Sequence, residues 1–100
     1  MRAWEFSPEA KGDLQEIWLY IATDNPAAAD KIEAEIYTAC DLLAQNPGLG
    51  HKRRDLTDEP VLFWPVRGRY LVIYQRESEP LKVVSILHGA RDAQAELESH

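Results

Sequence analysis

Val61-Leu62-Phe63-Trp64-Pro65-Val66-Arg67-Gly68-Arg69-Tyr70-Leu71-Val72-Ile73-Tyr74 is the stretch that decides the fold. Residues 61–66 and 70–74 are rich in β-branched and aromatic side chains, and only Arg67-Gly68-Arg69 separates them. A third such run, Leu81-Lys82-Val83-Val84-Ser85-Ile86-Leu87, follows after residues 75–80. Side chains of this kind suit a pleated, half-buried surface, and gaps this short send the chain back antiparallel to itself. An antiparallel β-meander is predicted. Pro65 has no N–H to give to a ladder, so its run belongs at a sheet edge or carries a bulge. Along the central run, Tyr70, Val72 and Tyr74 fall on one side and Leu71 and Ile73 on the other, so both faces are apolar. Two coverings of the second face are open: loops and tail of the same chain, or a partner.

Upstream the period changes from two to that of a helix. Trp4-Glu5-Phe6 alternates apolar, polar, apolar and reads as a short strand, after which Ser7-Pro8 supplies an N-cap and a first helical residue. Leu14, Ile17, Trp18 and Ile21 then recur at i, i+3, i+4 and i+7, an amphipathic stripe. Asn25-Pro26 repeats the cap-and-proline signal, and Ala29, Ile32, Ile36, Cys40 and Leu43 keep helical spacing until Asn46-Pro47-Gly48 stops them. So short a connection makes residues 8–46 an antiparallel helical hairpin, its acidic residues on the outer side. Residues 49–60 have neither period and read as a loop, and residues 91–97 have room for one or two helical turns. The fold class is α+β: a short N-terminal strand and a helical hairpin packed on a C-terminal antiparallel β-meander. Leu14, Ile17, Trp18, Ile21, Ile32, Ile36, Leu43, Leu71 and Ile73 are the expected core.

The chain has 100 residues, which fit one domain over 1–100, since a chain this short cannot divide its core in two. Hydrophobic residues at 45% are enough to offset the entropy of ordering it. Cys40 is the single cysteine, so no disulfide within the chain and no clustered thiolate zinc site is expected. The N-terminal residues lack a signal-peptide apolar run, and the longest apolar run, at 70–74, is far short of the roughly 18 residues of a membrane span. A cytoplasmic protein with no membrane partner is expected. The net charge is -6, carried by residues 1–50 with 3 Lys/Arg against 9 Asp/Glu, while residues 51–91 hold 8 Lys/Arg against 5 Asp/Glu. An acidic half faces a mildly basic one.

Four segments in this order and spacing carry a specific likeness: Phe6-Ser7-Pro8-Glu9-Ala10, Leu43-Ala44-Gln45-Asn46-Pro47-Gly48-Leu49-Gly50, Phe63-Trp64-Pro65-Val66 with Arg69-Tyr70-Leu71-Val72-Ile73-Tyr74, and Leu87-His88-Gly89-Ala90-Arg91-Asp92. On them the chain resembles ParE toxins of the ParE/RelE superfamily across nearly its whole length. The resemblance implies the toxin of a type II toxin-antitoxin pair, a class associated with plasmid stabilisation. It also implies a ParD-like antitoxin whose C-terminal segment wraps the toxin and whose ribbon-helix-helix part binds operator DNA. ParE relatives are regarded as poisons of DNA gyrase, whereas RelE relatives cut messenger RNA in the ribosome. A non-toxic binding module of the same fold is the remaining alternative.

An RNA-cutting site needs an acid, a base and cations aimed at one phosphate. His88 has the chemistry of an acid or base, with Arg67, Arg69, Arg76 or Arg91 as phosphate clamps and Lys52, Arg53 and Arg54 as backbone contacts, although a lone histidine beside a glycine at a strand end is more often structural. RelE-like nucleases carry a denser Lys/Arg set and often a C-terminal tyrosine, for which residues 87–100 have no equivalent. A net charge of -6 also opposes work deep in ribosomal RNA. The expectation is therefore inhibition by binding, without cofactor, metal or direct sequence-specific nucleic-acid contact. Trp64, Arg67, Arg69, Tyr70 and Arg91 are the expected antitoxin or target contacts, the arginines for acidic groups and the two aromatics as anchors. Lys52-Arg53-Arg54 reads as a solvated loop able to meet phosphates or an acidic segment.

Overall fold

Both cap-and-proline pairs start helices where expected. The computed structural model describes residues 3–88, which run β1 (Trp4–Phe6), α1 (Pro8–Ala22), α2 (Pro26–Gln45), β2 (Leu62–Val66), β3 (Tyr70–Gln75) and β4 (Leu81–His88). Ser7 Oγ accepts the N–H of Ala10 at 3.0 Å and Asn25 Oδ1 that of Ala28 at 3.0 Å, so each cap satisfies a donor the first helical turn leaves open. The connection 23–25 is short enough to fold α2 back along α1.

The strands form one four-stranded mixed sheet in the order β1-β4-β3-β2. The meander β2-β3-β4 is antiparallel, and Pro65 lies on the edge strand β2, as its missing N–H requires. β1 adds to the far edge parallel to β4, Trp4 opposite Leu81 and Phe6 opposite Val83. The helical hairpin is the crossover that permits this parallel pair. Ser7 fastens the join, its N–H reaching Val83 O at 2.9 Å and its Oγ donating to Val84 O at 2.8 Å.

The main core lies between hairpin and sheet. Ala10, Leu14 and Ile17 of α1 and Ile36, Ala39, Cys40 and Leu43 of α2 bury against Val72, Tyr74, Val83 and Ile86. On the opposite face Val61, Phe63 and Ile73 form a smaller buried cluster, with Leu56, Leu71, Val84 and Leu87 packed partly against it. The connection between α2 and β2 thus supplies part of the second cover. Four expected core residues are corrected: Trp18, Ile21, Ile32 and Leu71 are only half-buried. Trp18 lies at the helix–helix seam with its indole N–H donating to Asp30 Oδ1 at 2.9 Å, and Leu71 belongs to the thinner second face. No helix among the described residues is long and apolar enough to cross a membrane.

Candidate functional site

A one-residue irregularity in β4 places the side chains that matter. Ile73 lies opposite Ser85 but Tyr74 lies opposite Val83, so Val84 is left without a counterpart and the strand bulges. Asp13 of α1 meets the bulge, its Oδ2 accepting from Ser85 Oγ at 2.8 Å and from the Ile86 N–H at 2.9 Å. The extra residue reverses the alternation beyond it. Ile86 therefore faces the hairpin opposite Val72, and His88 pairs with Tyr70, while Leu87 goes to the second face beside Leu71.

His88 comes to lie between two tyrosines. Its ring centroid is 5.0 Å from that of Tyr70 and 5.8 Å from that of Tyr20, which reaches over edge-on from α1. Tyr20 is 58% exposed, whereas Tyr70 is buried, so the pair offers an outer and an inner phenol. Burial pushes the Tyr70 hydroxyl up from the usual tyrosine range; Arg69 pulls it down, Tyr20 raises it, and Arg67 again lowers it. The net shift is upward, so the phenol, neutral and able to donate at physiological pH in any case, keeps its proton to a higher pH than an ordinary tyrosine.

The β2–β3 turn closes the same end of the sheet. Arg69 N–H bonds to Val66 O at 3.2 Å, with Arg67 (φ 56°) and Gly68 (φ 68°) both left-handed between them. Two successive positive φ angles are the demand of a type I′ hairpin turn, met at no steric cost by Gly68 and at some cost by Arg67. Arg67 Nε ion-pairs with Glu35 of α2, tying the turn to the hairpin. Arg69 is exposed and makes no ion pair among the described residues.

The expected residues are thus partly united. Arg67, Arg69, Tyr70 and His88 share one end of the sheet. Tyr70, expected as an anchor, has its ring in the core. Trp64 stands apart on β2, half-buried and stacked on His51 at 6.4 Å, with His51 held to Phe63 by two backbone hydrogen bonds of 2.8 Å. Arg91 lies outside the described residues. Tyr20, Glu35 and Asp13 escaped the sequence reading. Tyr20 had a signal, being a large aromatic off the stripe of α1. Among the described residues no group of three or more His, Cys, Asp or Glu is placed to hold a metal ion.

A helical hairpin on one face of this mixed sheet is the α+β ParE/RelE-like fold. The chain matches, over residues 4–93, the family described as the ParE toxin of type II toxin-antitoxin system, parDE, and it belongs to that family. It is 32% identical over 76 residues to the Sinorhizobium fredii protein named "Putative toxin Y4kP", covering 76% of each chain. A solved structure, the chromosomal ParDE TA system from P. aeruginosa, contains a chain of the same fold. That chain has a TM-score of 0.68 at 19% identity, covering 88% of this chain and 96% of that one.

Proposed function

We propose that this toxin is neutralised by a ParD-like antitoxin that wraps the hairpin and sheet, and that it acts in the cytoplasm by binding and poisoning DNA gyrase. Membership of the ParE family carries the reading. The similarity in fold to a chain of a ParDE system supports an antitoxin as the partner. The contact surface is the end of the sheet at which Tyr20 and Arg69 are exposed. Aromatic rings and arginines of this kind anchor protein interfaces, and an acidic chain is better matched to a protein than to a polyanion.

A second reading is favoured by one observation. His88 has the aromatic neighbours that its sequence context lacked, namely Tyr20 and Tyr70, and Arg69 and Arg67 act on the Tyr70 hydroxyl. A neutral phenol, an imidazole and guanidinium groups are the parts of a RelE-type endoribonuclease. Purified toxin added to ribosome-bound messenger separates the two readings. Cutting at substoichiometric toxin establishes the nuclease, and intact messenger beside inhibited gyrase establishes the binder.

A further inference from the structure

The other end of β3 holds a cleft that the proposed contact surface does not use. β2 stops opposite Tyr74 at Leu62, while β3 continues to Gln75 before the chain turns at residues 76–77. Beyond Tyr74, therefore, no strand lies beside β3 on that side. A cleft of about 460 Å³ opens there, with Lys52 and Arg76 on its walls, Pro60 and Leu62 as apolar lining, and Glu77 and Ser78 at the turn.

The cleft is built on a fixed base. The Tyr74 hydroxyl donates to Pro47 O at 2.7 Å and accepts the Gly50 N–H at 2.8 Å, which pins the loop that Arg76 lies against. A Cβ on Gly48 would stand 3.6 Å from the Arg76 guanidinium, so that group rests over bare backbone. Neither Arg76 nor Lys52 makes a hydrogen bond or ion pair with its side chain among the described residues. Both cations are left for something else, in a chain whose net charge is -6.

We propose that this cleft receives an Asp or Glu side chain from an extended segment of the antitoxin, a subsite that rests on the antitoxin reading above. Two cations facing one apolar-lined cleft suit a single carboxylate and its methylene stem, and the open side of β3 leaves room for extended backbone. Arg53 is engaged by Asp55, which breaks the Lys52-Arg53-Arg54 run as a row of cations for a phosphate track, and the overall negative charge of the chain opposes a polyanion more than a single carboxylate. Because Arg69 lies at the opposite end of β3, one segment touching both ends must run at least six residues in extended form.

The test measures affinity for the product of the neighbouring open reading frame at two salt concentrations. The toxins compared are the original chain, Lys52→Glu, Arg76→Glu, the double reversal and the milder Arg76→Gln, each checked for fold by circular dichroism. The double reversal should weaken binding about tenfold or more, Arg76→Gln less so, and the variants should lose part of the salt dependence. A Lys replacing the matching acidic antitoxin residue should restore binding to Arg76→Glu. Unchanged affinity of a folded double variant overturns the subsite and leaves the antitoxin reading standing. No binding by the original chain overturns both. Loss of affinity for a labelled single-stranded RNA, with antitoxin binding unchanged, also overturns the subsite and makes it a nucleic-acid contact.

Discussion

Tyr74 shows how one side chain serves both packing and loop placement. Its ring is fully buried among the hairpin-facing residues, and its hydroxyl bridges Pro47 O and the Gly50 N–H. The loop approaches so closely that a Cβ on Gly50 would stand 2.6 Å from that hydroxyl and 2.9 Å from Leu62 Cβ. Gly50→Ala should therefore destabilise the fold by about 1–3 kcal/mol in urea titration, since the obstacle is buried and pinned. Tyr74→Phe should cost about 1–3 kcal/mol, because it strips two loop groups of their partner. Burial is the first cause raising the Tyr74 hydroxyl above its ordinary value, opposed by the Gly50 hydrogen bond and by Arg76. A raised folded value means the folded state holds the proton more tightly. That stability is complete below about pH 10 and is lost as pH climbs through the raised value. Urea midpoints followed from neutral to alkaline pH should fall for the original chain and fall less for Tyr74→Phe. Equal slopes would mean that the alkaline loss lies elsewhere.

At the scale of elements, the union of α1 with β4 decides where the functional side chains go. Asp13 holds the bulge, and the bulge turns His88 toward Tyr20 and Tyr70. Asp13→Ala leaves the Ile86 N–H without its acceptor, a loss of about 1–3 kcal/mol. Faster hydrogen exchange at Ile86 than at Val72 would locate the loss at the bulge, and Asp13→Asn should recover part of it. The elements themselves were legible in the sequence. Ser7-Pro8 and Asn25-Pro26 marked the helix starts, and the β-rich runs match β2, β3 and β4 to within a residue at each end. Pro65 gave the edge position of β2. Neither the parallel pairing of β1 with β4 nor the bulge was legible, because the first joins strands at opposite ends of the described chain, the second is held by Asp13 at a separation of 72 residues from Ser85, and Val84-Ser85-Ile86 carries no local mark of an extra residue. The same blindness explains the site. Arg67, Arg69, Tyr70 and His88 could be named as residues, but Tyr20 joins them only through the packing of α1 on β4, and the core position of Tyr70 follows from which face the hairpin covers.

At the scale of the whole molecule, an acidic helical hairpin backs a sheet whose two ends carry Arg69 and Arg76, neither in an ion pair among the described residues. If the toxin works by binding, the exposed ends matter more than any single proton-transfer group. Arg69→Glu should then weaken toxicity or antitoxin binding about tenfold, read as a shift in the dose that arrests growth, while His88→Ala should leave toxicity largely intact. Substitution at Arg69 is informative because the side chain is exposed and its removal leaves the core untouched. The measurement that bears most directly on the central claim is inducible expression without antitoxin, in the original and His88→Ala forms, scored for the DNA-damage response and for messenger RNA cleavage. Binding to gyrase predicts a DNA-damage response with intact messenger in both forms. Cleaved messenger, abolished in a His88→Ala protein that still folds and binds its antitoxin, would contradict the account and make the chain a ribonuclease.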